Sequence, residues 1–291
     1  MKIGIALPSM VAGLDRGTLL AWMREVDAGP FSVLAAGERV AYPNQDMMSL
    51  LAGAAAVTDR VRIEATVSIT PMHSAVSVAK QAATIDVLSG GRFVLGVGVG
   101  GRDEDYRALD ASFARRHARL DEQVAAIRRV WAGKSPADGI SPVGPAPVQP
   151  GGPPILAGAM GPKSMARAAV WADGVAGFDV AGDATSIGSG FRRFEAAWSN
   201  AERTGRPFLQ TSFWFGLGAD AAEQVPDYAF RYLRIFGDDA ARAMAGLVTA
   251  TSAERVRTLL EEVEAVGGDE VILVATTGDV DDLRRAAALV A

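Results

Sequence analysis

The sequence predicts an α/β protein built as a (β/α)8 barrel, and three observations carry that prediction. Short apolar runs alternate with longer amphipathic stretches along all 291 residues. Eight of the runs are β-branched, aromatic or otherwise apolar in the middle, are bounded by Gly, Pro or polar residues, and precede helical sequence. No break in composition divides the chain, which favours one closed barrel domain over residues 1–291 against a doubly wound open sheet.

The strands are expected at 2–7, 31–36, 61–67, 92–97, 154–157, 174–178, 208–215 and 270–275. Residues 46–57, 74–88 and 113–131 read as helices, the last with Leu120, Val124, Ile127 and Trp131 at helical spacing. Helices over 162–171, 185–203 and 279–290 follow later strands, with Asp279 as N-cap of the last. Thr251 with Glu254 reads as a capping box for a helix running to about residue 266. Trp22, Trp131, Trp171 and Trp198 sit at helical spacing and are assigned to the core.

Two segments depart from the alternation. Residues 134–154 are dense in Pro and Gly and read as an extended connection, either a surface crossing or a lid. A helical insertion near 217–250 carries Tyr228, Phe230, Tyr232 and Phe236. It is placed either to shape a pocket above the barrel or to pack in the core or against another subunit.

Composition narrows the chemistry. A hydrophobic share of 49% with 22% charged residues suits a well-packed globule. The net charge of -5 argues against nucleic acid or an anionic membrane as partner. Cysteine is absent, which excludes disulfides, thiolate metal sites and cysteine nucleophiles. His73 and His117 are the only histidines, so a histidine-built metal site is not expected. No uncharged apolar run approaches about 18 residues. The opening run ends at Pro8, too soon for a signal peptide, and a cytoplasmic location is expected.

In a barrel of this kind function sits where the strands end. Those ends offer no His-x-His pair and no carboxylate cluster at metal-ligand spacing. Lys80 and Lys163 fall on helices, which disfavours a Schiff base. The mouth is instead rich in glycine and short side chains, as a large flat cofactor requires. Glycines 96–101, closing the apolar run 92–97, allow a ligand close to the backbone. Gly158, Ala159, Met160 and Gly161 lead into a helix with Pro162 in its first turn. That turn is either plain or an anion site with Lys163 beside it. Glu38 is the acid–base candidate, or else an ion-pair partner of Arg39, Arg102 or another arginine. His73 is assigned to a helix start and His117 to the solvent side of 113–131.

The run from Ala79 through Gly90-Gly91-Arg92-Phe93 to Gly100-Gly101-Arg102, with Asp105-Tyr106 after it, resembles the hallmark segment of the bacterial luciferase-like monooxygenase superfamily. Pro153-Pro154-Ile155-Leu156-Ala157-Gly158, followed by Ala172-Asp173-Gly174, resembles its second signature. The resemblance implies a luciferase-like (β/α)8 barrel that binds reduced FMN or the deazaflavin coenzyme F-420 at the carboxyl face, and a homodimer. Gly37-Glu38-Arg39 with Tyr42-Pro43-Asn44 is similar to the F-420-dependent subgroup.

Implied functions are hydride exchange between F-420 and a small organic substrate, an FMN-dependent monooxygenase served by a separate reductase, or a non-catalytic flavin-binding member. By position, Thr66-Val67 matches a non-prolyl cis peptide under the cofactor ring, with Val67-Ser68 the other choice. Gly98 and Gly100 would flank the ring, and the phosphate would fall at Gly158, Ala159, Met160 and Gly161. Tyr42 and Asp105 would face substrate, or else Asp105-Tyr106 caps and packs its helix. Glu38 stands where relatives often carry a histidine near the reacting carbon.

Overall fold

In a computed structural model describing residues 1–291, the chain alternates strands and helices from end to end. The order is β1 (Lys2–Ala6), α1 (Arg16–Ala28), β2 (Val33–Ala36), α2 (Met47–Val57), β3 (Arg62–Ser68), α3 (Ala75–Leu88), β4 (Phe93–Val97), α4 (Asp103–Ala108) and α5 (Arg116–Trp131). It continues with β5 (Ile155–Ala157), α6 (Pro162–Ala168), β6 (Gly174–Ala176), α7 (Ala184–Asn200), β7 (Phe208–Phe215), α8 (Ala221–Leu233), α9 (Asp238–Ala245), α10 (Ala253–Ala265), β8 (Glu270–Ala275) and α11 (Val280–Val290). The strands pair in parallel in sequence order, and β1 closes on β8 to complete the barrel. No helix is long and apolar enough to cross a membrane.

All eight expected strands form, with ends displaced by no more than two residues. Three local expectations change. Helix α1 was expected only as helical sequence around Trp22, without bounds, yet its start is well specified: the Asp15 carboxylate accepts from the Thr18 amide at 2.7 Å. Its buried face, Trp22, Met23 and Val26, has the spacing of a helix packed on a sheet. At α10 the cap is Ser252 rather than Thr251, its hydroxyl accepting from the Arg255 amide at 3.2 Å. Trp171 lies beyond the end of α6, half-buried, and its Nε1 donates to Asp121 at 2.9 Å.

The Pro/Gly-rich connection crosses the surface away from the mouth. Asp86, fully buried at the end of α3, accepts from the amides of Val148 and Gln149 at 2.7 and 3.0 Å. Gln149 Nε2 donates to Asp86 and to the Phe93 carbonyl, both at 2.7 Å. Phe93 begins β4, so these bonds fix the connection to the amino end of the barrel and leave it no lid role.

Strand alternation separates two cores. Ile5, Leu34, Ile63, Leu95 and Leu273 turn outward into the main hydrophobic cluster against the helices. Ala6, Val33, Ala35 and Ile272 form one small inner cluster, and Val94, Leu156 and Ala176 another. Toward the amino end the barrel interior becomes polar. Glu270 Oε1 accepts from Ser32 Oγ at 2.7 Å, and its Oε2 pairs with Arg62. Gln210 Nε2 donates to both Glu64 and Glu270 at 3.1 Å.

Glu64 has no other partner, and its Oε1 is buried without a hydrogen bond. Burial, then the neighbouring Glu270 charge, push its carboxyl up to about 8 against the relief offered by Arg62 and Gln210. A proton held more tightly folded than unfolded makes stability fall with rising pH. The window runs from the unfolded value near 4.5 up to about 8. Thermal unfolding of wild type and Glu64→Gln across this window should show a steeper decline for wild type. Each kcal/mol of difference moves the midpoint by about 2–4 °C. Parallel curves would refute a protonated Glu64.

Candidate active site

The mouth of the barrel is organised by a bulge at the end of β3. Ala65 pairs with Leu95 and Ser68 with Val97, so the register shifts between them. The Thr66–Val67 peptide is cis, at the position the family resemblance implies. The Val67 side chain swings toward β4 and β5 and fills the space their glycines leave. A Cβ on Gly98 would lie 2.7 Å from Val67 Cγ2, and one on Gly158 would lie 3.1 Å from both Val67 methyl groups. A Cβ on Gly96 would collide with the Ala65 carbonyl oxygen. Opposite them, a Cβ on Gly37 would stand 3.1 Å from the Thr66 carbonyl oxygen.

Two cavities meet over this bulge. The larger, about 270 Å³, is walled by the ends of β2 to β7; five of its eighteen lining residues are glycine, namely Gly37, Gly100, Gly101, Gly158 and Gly177. A wall of exposed backbone is the surface a flat ring with edge acceptors can lie against. The smaller, about 140 Å³, lies on the β1, β7 and β8 side, under Trp214, Tyr228 and Tyr232. Thr66, Phe178 and Ser212 are among the residues common to both.

Four charged residues line the larger cavity, and each has a partner. Arg39 donates from Nε to Asp105 at 2.8 Å and from Nη2 to Glu104 at 2.9 Å. Asp105 also accepts from the amides of Val40 and Ala41 at 3.1 and 2.7 Å. Arg102 donates to the Tyr232 carbonyl and lies 4.8 Å over the Tyr232 ring. Glu38 alone is free of arginine. Its Oε1 is 2.8 Å from His73 Nε2, and its Oε2 accepts from the Ile69 amide at 2.5 Å and from Ser68 Oγ at 3.3 Å. Burial lowers the His73 pKa, but the hydrogen bond and charge of Glu38, helped by Asp46, outweigh it and hold the imidazole above its ordinary value.

Each residue singled out in the sequence now has a place. Glu38, Thr66, Val67, Gly100, Gly158 and Met160 line the larger cavity, Met160 with 68% of its surface exposed. Gly98 does not line this cavity; it is the seat of Val67. Ala159 is buried and lines an adjoining cavity of about 110 Å³ that includes Arg193 and shares Met160, Gly177 and Phe178 with the larger one. The Gly161 amide donates to Ser164 Oγ at 3.1 Å, and Pro162 has no N–H, so this helix start offers few free donors. Asp105, on the wall of the larger cavity, has no exposed surface and positions Arg39 and the 40–41 backbone. Tyr42 is half-buried, its ring centroid 4.9 Å from the Arg39 guanidinium, and lines neither mouth cavity.

His73 is the partner that sequence reasoning missed. It precedes the Ser74 cap of α3, as expected of a helix start, but a short helical turn over Thr70–Met72 carries it back against Glu38. Thirty-five residues separate the two, and no local spacing announces the pair.

The family model for the luciferase-like monooxygenases matches residues 1–264. The chain belongs to the luciferase-like monooxygenase family. Membership makes it an oxidoreductase. Pyrimidine monooxygenase RutA of Escherichia coli is 40% identical over 98 residues, a match covering 32% of this chain and 27% of that protein. Among solved structures, monooxygenase RslO1 from Streptomyces bottropensis superposes with a TM-score of 0.80 at 22% identity, over 99% of this chain and 97% of that one. The coenzyme F-420-dependent tetrahydromethanopterin reductase from Methanopyrus kandleri gives 0.72 at 17% identity, over 99% and 96%. At these identities the two structures share the luciferase-like fold with this chain.

Two measurements test the architecture of this site. His73 has a raised folded pKa, so its pairing stabilises the fold most below the unfolded imidazole value and loses that contribution as pH rises through the folded one. His73→Gln should therefore destabilise more at about pH 5 than at about pH 9 in denaturant titrations. Gly96→Ala, which drives a methyl into backbone, should cost about 3 kcal/mol or more, whereas Gly101→Ala, with nothing within 4 Å, should be near neutral in the same titrations.

Proposed function

We propose that this chain is an F-420-dependent oxidoreductase that exchanges a hydride with a small organic substrate, with Glu38 and His73 moving the accompanying proton. The observation that carries the reading is the Glu38–His73 pair beside the Thr66–Val67 bulge. Glu38 is the only carboxylate on the wall of either mouth cavity that is not bound to an arginine. Reduction of a carbonyl needs a hydride and a proton, and this pair is the place where the chain keeps a proton next to the mouth.

The residues present fit a deazaflavin. Backbone at Gly37, Gly100, Gly101, Gly158 and Gly177 leaves a ring-sized surface without side chains. When bound there, the deazaflavin supplies or accepts the hydride. The chain supplies the rest. Ile69 N–H and Ser68 Oγ hold Glu38 Oε2, which leaves Oε1 as the atom that shares a proton with His73 Nε2. The Arg39–Asp105 pair fixes the loop after β2 that carries Glu38. His73, with 28% of its side chain exposed, links Glu38 to solvent protons.

A second reading is an FMN-dependent monooxygenase that receives reduced flavin from a separate reductase and uses oxygen as co-substrate. The monooxygenase names of RutA and RslO1 favour it. Titrating the protein with F-420 and with FMN, followed by cofactor fluorescence, separates the two. F-420 is expected to bind more tightly; if neither binds below about 100 μM, both readings fail. Glu38→Gln should lower kcat by about 100-fold while changing F-420 affinity less than about threefold. Unchanged turnover would remove Glu38 from proton transfer.

A further inference from the structure

We infer that the smaller mouth cavity is the substrate site and that it selects a planar, uncharged aromatic compound bearing an oxygen substituent. The inference rests on the reading above that a flavin-type ring occupies the glycine-lined cavity; the two halves of the mouth have different chemistry. The four charged side chains and most of the glycines belong to the larger cavity. The smaller one has no charged residue on its wall.

Its wall is a rigid aromatic cluster. Phe178 and Trp214 meet edge-on with centroids 4.8 Å apart, and Trp214 makes further edge contacts to Tyr232 at 5.5 Å and Tyr228 at 5.9 Å. Tyr228 and Tyr232 lie nearly parallel, 10° between planes. Trp214 is the penultimate residue of the strand β7, and both tyrosines come from α8, so the cluster sits on regular elements rather than on a loop. Such a wall favours ring faces and edges over flexible aliphatic chains.

A few polar atoms set among these rings fix orientation. The Tyr228 hydroxyl, Trp214 Nε1 and Ser9 Oγ take no part in the side-chain hydrogen bonds of the chain and are not sealed from solvent, while the three residues, all on the cavity wall, are more than nine-tenths buried. Burial, and next the neighbouring Tyr232, hold the Tyr228 phenol far above its ordinary pKa, so it stays a donor. Donors with unmet capacity in an uncharged cavity fit a carbonyl or hydroxyl oxygen on a neutral ring. A carboxylate there would find no cation on the wall and would lose its hydration, since Arg102 and Arg39, which lie over the Tyr232 ring, are bound to other partners. The cavity, about 140 Å³, opens past Thr66 and Ser212 into the larger one, which brings a bound ring to the bulge and to Glu38.

Isothermal titration of the full chain, with and without F-420 or FMN, tests this with three probes: 2-naphthol, 2-naphthoate and 2-decalol. 2-Naphthol should bind at least about tenfold more tightly than 2-naphthoate and about fivefold more tightly than the saturated alcohol. Tyr228→Phe should weaken 2-naphthol about fivefold and Trp214→Leu more than tenfold, with F-420 affinity within about twofold of wild type. Equal binding of the anion, equal binding of 2-decalol, or an unchanged 2-naphthol affinity in Tyr228→Phe would each overturn the inference. The cofactor titration is read separately, so failure of cofactor binding counts against the proposed function, and failure of naphthol binding counts against the site.

Discussion

The packing of Val67 against three glycines is the constraint on which the mouth depends. Gly96, Gly98 and Gly158 come from two neighbouring strand ends, and each would place a methyl inside the van der Waals radius of Val67 or of the β3 backbone. With those positions empty, β3 can slip one register step between Ala65 and Ser68 without opening the barrel. Gly98 N–H then bonds the Ser68 carbonyl at 2.8 Å, and Gly158 N–H the Val97 carbonyl at 2.8 Å, so the sheet is resumed beyond the bulge. The glycines therefore serve the backbone first. Their openness toward a ligand follows at Gly100, Gly101 and Gly158, where the same lack of side chains faces the larger cavity.

The bulge also decides the electrostatics. It presents the Ser68 hydroxyl and the Ile69 amide to one oxygen of Glu38, and the turn that follows delivers His73 to the other. A carboxylate with only 9% of its surface exposed needs such donors, and here they leave no place for an arginine. The arginines at the mouth are bound elsewhere. Arg39 is spent on Asp105 and Glu104 from the first turn of α4, and Arg102 on the Tyr232 carbonyl of α8. Separate pairing of these groups keeps the Glu38–His73 pair distinct from the ion pairs of Arg39 at the same mouth.

The barrel was legible because its signals are local. Apolar runs and helical spacing within ten or fifteen residues specify strands and helices, and every strand from Lys2 to Ala275 could be read in that way. The Thr66–Val67 cis peptide was legible through family resemblance, which ties a position to a backbone geometry. What could not be read were pairings across long separations. Glu38 meets His73, Arg39 meets Asp105 sixty-six residues on, and Val67 meets Gly158 on another strand. A carboxylate followed by arginine suggests an ion pair in sequence, yet the two side chains of Glu38 and Arg39 choose different partners. For Asp105 the sequence left a ligand contact and helix packing evenly open, and its grip on Arg39 and the amides of Val40 and Ala41 is set by folding. Helix α1 was left without bounds for a milder reason, since Gly17 and Thr18 near its start weaken the helical pattern before Leu19.

The two cavities also divide the chain into parts with different freedom to change. Substitution on the glycine side meets backbone: a methyl at Gly96 strikes the Ala65 carbonyl, and one at Gly37 crowds Thr66. Substitution on the aromatic side meets side chains, Trp214 against Tyr228 and Tyr232, which a different set of rings can replace at similar volume. The insertion that supplies those tyrosines packs mainly within itself and on β7, in a cluster separate from the main core. A fold arranged in this way can hold one type of cofactor surface constant while α8 and α9 are altered to suit another substrate. On the proposed reading, the insertion and the end of β7 would carry substrate identity, and the strand ends that the bulge organises would carry the cofactor.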